Sequence, residues 1–165
     1  QAGKVITIGA LSLAVVDPTQ PDPWQPFLDA MRDLNYFEGR NLVLKRAYAA
    51  GSLERLARLA DDLVRANVDV IVTTGTREAR AAKQATSTIP IIMSFASEPV
   101  GDGLVTSLAR PGGNLTGLTS LVPGLRQKYV ELLREVVPSA SRFGVIASSS
   151  NLRSGIWFER VNPAG

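Results

Sequence analysis

Two short polar segments contain the groups with which this chain could recognise a small charged molecule. The first, Thr74, Gly75 and Thr76, directly follows a mainly apolar run at residues 68–72. Small residues of this kind turn the chain and begin a helix, and the N–H groups of a helix start, together with hydroxyls, suit a carboxylate. The alternative interpretation is an ordinary capped turn between a strand and a helix, which binds no ligand.

The second polar segment, Ser97 and Glu98, follows another apolar run at residues 89–95. The Glu98 carboxylate could pair with an ammonium group, which would complete the recognition of an amino-acid zwitterion. Its alternative role is to stabilise the first turn of a helix that begins beside it. Phe95, at the end of the apolar run, fits the protein core better than a surface on which a ligand stacks.

A strand–helix–strand unit should position these polar segments. Both apolar runs predict buried strands, and the helix-forming residues at about 77–85 predict a helix between them. The two strands should then be parallel, with their carboxyl ends at one edge of the sheet, where α/β proteins bind ligands. Ser12 and Leu13 follow the first strand of the chain, at residues 5–10, and should line a crevice opposite Thr74.

The rest of the chain continues the alternation of strands and helices. Hydrophobic periodicity predicts strands at 42–48 and 115–118 and helices at 24–34, 53–67 and 99–108. This order favours an α/β fold with a doubly wound, mainly parallel five-stranded sheet of strand order 2-1-3-4-5. Gly112 and Gly113 suggest a phosphate-binding loop, but their position predicts the end of the last of these helices.

The pattern changes after the fifth predicted strand. A helix at 125–137 and a strand at 142–147 follow, and neither is needed to complete the five-stranded sheet. We therefore interpret residues 1–120 as a Rossmann-like lobe and residues 121–165 as a crossover and the beginning of a second, incomplete lobe. If the polypeptide ends at Gly165, the exposed apolar surface of this second part predicts a dimer.

The composition argues against several classes of protein. The chain has neither His nor Cys, so the commonest general base, the commonest metal ligand and the thiolate nucleophile are all missing. We expect no enzymatic activity, metal or cofactor. The net charge of +3 does not favour nucleic-acid binding. No long apolar run predicts a membrane span, and the N-terminus, which lacks a signal peptide, is that expected of an exported chain after processing.

Several longer segments resemble one known family. They are LDAMRDLNYFEGRNLVL at 28–44, AAKQATSTIPI at 81–91 and ARPGGNLTGL at 109–118. They are similar to the periplasmic solute-binding proteins of ABC transporters, specifically the tryptophan/tyrosine-type family. The resemblance implies a type I periplasmic-binding-protein-like lobe, a ligand enclosed between two lobes, a periplasmic location and a membrane permease as partner.

The resemblance also bears on the site residues. It supports a ligand-binding role for Thr74, Gly75 and Thr76, and it aligns Asn151 with a loop that the family's second lobe contributes. Glu98 stands where the family usually has an aspartate, which keeps the charge but lengthens the side chain. After Ala147 the chain otherwise departs from the family pattern.

The resemblance implies a protein that binds a small solute, with an aromatic amino acid as the family-based expectation, and passes it to an ABC permease. One alternative is a ligand-sensing module of the same fold in a signalling receptor. The other is a small α/β enzyme that uses a nucleotide, although no glycine-rich or Walker sequence follows the first strand.

Overall fold

Short runs of β-branched and other apolar residues form the central sheet. The structure, a computed structural model, describes residues 5–120 and 125–139. Its strands are β1 (Ile6–Ser12), β2 (Leu42–Tyr48), β3 (Val70–Thr73), β4 (Ile91–Met93) and β5 (Leu115–Gly117). All neighbouring strands pair in parallel, and their order is β2-β1-β3-β4-β5. The predicted α/β fold and strand order are therefore confirmed.

The helices are α1 (Gln25–Asp33), α2 (Leu53–Arg65), α3 (Thr76–Ala85) and α4 (Leu125–Val136). These four helices lie where the sequence predicts them, with each end within two residues of the prediction. The Ser52 hydroxyl caps α2 by accepting a hydrogen bond of 3.2 Å from the Arg55 N–H. Asn35 adopts a left-handed conformation, with φ of 65°, two residues after the last residue of α1. An asparagine tolerates this conformation and allows the helix to stop there.

The sheet separates two apolar clusters, because alternate residues of each strand face opposite sides. Side chains of α2 and α3 pack on one face, and those of α1 pack on the other. The first cluster includes Leu11, Leu56, Ala60, Ile71, Ala79 and Ile91. The second includes Ile8, Trp24, Leu28, Leu44 and Val72. Helices on both faces leave the edges of the sheet, rather than its faces, as the place where a ligand can reach the strand ends.

The prediction of a helix at 99–108 is wrong, because this segment forms a series of turns between β4 and β5. Leu104 and Val105 are buried as expected, but Val100 and Leu108 are exposed. Gly103 has φ of 68°, a left-handed conformation that a continuous helix does not contain. Gly112 and Gly113 therefore follow a turn and do not end a helix.

An ion cluster connects β2 to the loop before α1. The Arg46 guanidinium donates to Glu38 Oε1 at 2.7 Å and Oε2 at 3.1 Å, and its Nε donates to Asp22 Oδ2 at 2.8 Å. Asp22 also accepts the Trp24 N–H at 3.0 Å. Since Trp24 belongs to the second apolar cluster, the Arg46 cluster helps to hold the entry of α1 against the sheet.

The chain divides into two compact units, Gln1–Leu121 and Val122–Gly165. Of the second unit the structure describes residues 125–139, which contain α4. Tyr129, Leu132, Leu133 and Val136 are exposed on this helix. The strand predicted at 142–147 lies outside the described residues. No helix in the described part of the chain combines the length and the apolar character needed to cross a membrane.

Candidate functional site

The parallel register brings the carboxyl ends of the strands to one edge of the sheet, which we call the carboxyl edge. Leu11 of β1 pairs with Thr73 of β3, and Thr73 pairs with Met93 of β4. The predicted site residues follow these three positions along the chain. The loops after β1, β3 and β4 therefore emerge side by side, as the sequence predicts.

A buried carboxylate lies where the loops after β1 and β3 meet. Glu78, in the first turn of α3, is only 7% exposed. Its Oε1 accepts the Leu13 N–H at 2.9 Å and the Thr74 hydroxyl at 3.0 Å. The position that the sequence predicts for a solute carboxylate is thus next to a carboxylate of the protein itself.

Gly75 allows this carboxylate to approach the main chain. A Cβ atom at Gly75 would lie 2.9 Å from Glu78 Oε2, which is closer than real Cβ contacts. The φ of Gly75 is −167°, an extended value that any residue can adopt. Glycine is therefore needed here for space and not for backbone freedom.

The Ser12 hydroxyl extends this hydrogen-bonded group. Ser12 is 4% exposed, and its Oγ accepts the Ala14 N–H at 3.2 Å. The Ser12 and Thr74 hydroxyl oxygens lie 3.1 Å apart. Ser12, Leu13, Thr74 and Glu78 thus form a connected network, which we call the Glu78 network.

Phe95 is not a core residue, so that prediction is wrong. Its side chain is 50% exposed, because β4 ends two residues earlier. Ser94 turns the chain out of the sheet there: its N–H and its hydroxyl both donate to the Thr73 carbonyl, at 2.9 and 2.8 Å. Phe95 therefore presents an aromatic surface at the carboxyl edge.

The loop after Phe95 is tied to the end of β5. The Ala96 N–H donates to the Leu118 carbonyl at 3.2 Å, and the Ala96 carbonyl accepts the Ser120 N–H at 3.0 Å. Ser97 is exposed and Glu98 is half-buried. Since residues 99–108 form turns, Glu98 has no helix of its own to stabilise, and that alternative role is wrong.

Thr76 begins α3 and is half-buried, as Gly75 is. Asn151 lies outside the described residues. Sequence analysis missed Glu78, because an acidic residue in the first turn of a helix is normally interpreted as a helix-stabilising charge. The available signal was its spacing: Glu78 lies four residues after Thr74, so one helical turn returns its carboxylate to the strand end. Within the described residues no group of three or more acidic side chains could hold a metal ion.

Comparison with known proteins identifies relatives along almost the whole chain. The family model described as ABC transporter substrate binding protein matches residues 10–159. A protein named tyrosine-binding protein, from Clostridioides difficile strain R20291, is 33% identical over 152 residues. That alignment covers 92% of this chain but 44% of the relative.

Solved structures of similar sequence and fold also match almost the whole of this chain. A conserved domain protein from Vibrio cholerae O1 biovar El Tor is 32% identical with a TM-score of 0.78, over 96% of this chain and 52% of that protein. An ABC domain from Streptococcus pneumoniae in complex with L-Trp is 26% identical with a TM-score of 0.76, over 94% of this chain and 51% of that one. The chain therefore spans about half the length of these relatives.

Proposed function

Since the chain belongs to the family of ABC transporter substrate binding proteins, we propose that it captures a small solute outside the cytoplasm and delivers it to a membrane permease. The observation that carries this proposal is the carboxyl edge. Polar and aromatic groups follow the carboxyl ends of three adjacent parallel strands there. The proposed role is capture and release, without chemical change of the solute.

We propose that the solute is an aromatic amino acid. Two relatives support this choice, because one is named for tyrosine binding and the other was solved with L-Trp. The half-exposed Phe95 ring gives independent support, since an aromatic ring at an open edge can stack on the ring of a solute. The polar end of the solute would then lie toward Ser12, Leu13, Thr74, Gly75, Thr76, Ser97 and Glu98.

Residues 121–165 are proposed to begin a second lobe that closes on the solute. The relatives' greater length supports the proposal that a second lobe follows the first. Two-lobed binding proteins gain affinity when hinge closure buries the ligand on both sides. Asn151 would contribute to the site from that second lobe.

The proposal is tested by calorimetric titration of the full natural chain with L-tyrosine and L-tryptophan. We expect at least one of them to bind with a dissociation constant in the micromolar range or below. Phe95→Ala should weaken this binding about fivefold, because it removes a stacking surface worth about 1 kcal/mol. Phe37→Ala is the matched control, since Phe37 precedes β2 at the opposite edge of the sheet.

The control variant should bind as the natural protein does. Absence of binding to both amino acids would contradict the proposed solute. Equal losses for Phe95→Ala and Phe37→Ala would contradict the proposed location.

A further inference from the structure

Glu78 changes what the carboxyl edge can recognise. We infer that its carboxylate makes the site between the loops after β1 and β3 select the ammonium end of the solute and reject a carboxylate. This inference deepens the proposed function and rests on it. It also replaces the sequence-based expectation that Thr74, Gly75 and Thr76 receive the carboxylate.

Glu78 already uses two of the hydrogen-bond donors at this place, the Leu13 N–H and the Thr74 hydroxyl. The Leu13 N–H points to Glu78 Oε1 at 2.9 Å, and the Thr74 hydroxyl lies 3.0 Å from the same atom. A solute carboxylate at this place would have to displace Glu78 from both contacts. Displacement would also leave a buried charge without its hydrogen bonds, which is costly.

The proton of the Thr74 hydroxyl is already committed within the Glu78 network. Thr74 has one hydroxyl proton, and the two acceptors it can reach are Glu78 Oε1 at 3.0 Å and Ser12 Oγ at 3.1 Å. The charged Glu78 oxygen is the stronger acceptor. The Thr74 oxygen therefore offers a solute its lone pairs, which accept a hydrogen bond from an ammonium group but offer nothing to a carboxylate.

The negative charge of Glu78 also favours an ammonium group over a carboxylate. Among the residues that the structure describes, no basic side chain forms an ion pair with Glu78, which is held by an N–H group and a hydroxyl. These neutral donors stabilise its negative charge without cancelling it. A second carboxylate at the same site would be repelled, whereas an ammonium group would be attracted.

The competing interpretation is that Glu78 only caps α3. A capping carboxylate contributes to stability, and its removal lowers the affinity for every solute by a similar factor or leaves it unchanged. A selecting carboxylate changes the ratio of affinities between solutes of opposite charge. Selectivity, and not affinity alone, therefore distinguishes the two.

The experiment is calorimetric titration of the full natural chain with three solutes that share a phenol ring. L-Tyrosine carries both charges, tyramine lacks the carboxylate, and 3-(4-hydroxyphenyl)propionate lacks the ammonium. The natural protein should bind tyramine at least about tenfold more tightly than the propionate, since hydrogen bonds to charged groups are worth about that much. Tryptophan, tryptamine and indole-3-propionate form the equivalent set.

Glu78→Gln should reduce this ratio about tenfold, mainly by weakening tyramine binding. The control is Glu54→Gln, because Glu54 is an exposed carboxylate in the first turn of α2. It should leave the ratio unchanged. Thermal unfolding shows whether each variant is folded, and Glu78→Ala replaces Glu78→Gln if the latter is not.

The outcomes separate this inference from the proposed function. If L-tyrosine or L-tryptophan binds but the propionate binds as well as tyramine, the inference is wrong and the proposed function stands. If folded Glu78→Gln protein keeps the natural ratio, Glu78 is a cap and the inference is also wrong. If none of the solutes binds, the proposed function fails, and the inference fails with it.

Discussion

Carboxylates in two regions of the sheet are stabilised in different ways, one by a cation and the other by neutral hydrogen-bond donors. At β2, Asp22 and Glu38 share the guanidinium of Arg46, so that each acidic side chain has a cation as partner. At the carboxyl edge, Glu78 is held by the Leu13 N–H and the Thr74 hydroxyl, which carry no net charge. The first cluster neutralises its charge internally, and the second keeps its charge.

The pKa values of the first cluster reflect this pairing. Burial alone would raise the pKa of Asp22, but the Trp24 N–H and the Arg46 guanidinium hold it below its ordinary value. The hydrogen bond from Arg46 likewise lowers the pKa of Glu38, and the pKa of Arg46 is raised in return, chiefly by its bond to Glu38. Arg46 and each of the two carboxylates therefore stabilise each other's charged forms, as in a structural ion cluster.

The difference indicates which cluster serves binding. A carboxylate that already has a cation gains little from a second one, whereas a carboxylate held only by neutral donors still attracts an ammonium group. The Arg46 cluster should therefore affect stability without affecting solute binding. The Glu78 network should affect the choice of solute.

Arg46→Ala should have the largest effect on stability and should separate the roles of the two carboxylate groups. It leaves two acidic side chains without their shared cation, and we expect the free energy of unfolding to fall by about 1–2 kcal/mol. Solute affinity should not change. Arg58→Ala is the control, because Arg58 forms an exposed pair with Glu54 at 3.5 Å, a type of pair that contributes only a few tenths of a kcal/mol.

Urea denaturation measures both variants, and titration with the bound amino acid measures affinity. An affinity loss for Arg46→Ala as large as that for Phe95→Ala would show that the two clusters are not separate in function.

Lowering the pH should have a smaller effect on the stability of the protein. Because the folded-state pKa values of Asp22 and Glu38 are lowered, their contribution to stability is complete above the ordinary carboxyl values of 3.8 and 4.5. It is lost as the pH falls below those values toward the lowered ones. The melting temperature should therefore decrease below about pH 4.5, and Arg46→Ala should make this decrease less steep. Equal slopes for the natural protein and the variant, from thermal melts between pH 7 and pH 3, would contradict the role of Arg46.

The sheet could be predicted well from the sequence, because each strand is specified by a short local run of apolar residues. Residues 70–73 and 91–93 are short apolar runs rich in β-branched side chains, and the intervening helix formers leave only a parallel crossover. The segment 99–108 shows the limit. Its apolar spacing resembles a helical stripe, but the left-handed Gly103 interrupts the backbone, and apolar spacing does not show where a single residue adopts a left-handed conformation.

The candidate site was predicted less completely, because its chemistry depends on side chains that meet across the fold. The edge and its loops follow from strand direction. The contact of Glu78 with Leu13 joins residues 65 positions apart in the chain, and no sequence pattern specifies it. The exposure of Phe95 depends on where β4 ends, and element ends are poorly determined by apolar content.

A crystal structure of the full natural chain with L-tyrosine or L-tryptophan bound tests most directly how the carboxyl edge recognises its solute. We predict that the solute lies at the carboxyl edge, with its ammonium nitrogen toward the Glu78 network and its ring against Phe95. A solute bound at the opposite edge, or bound here with its carboxylate against Glu78, would contradict the account.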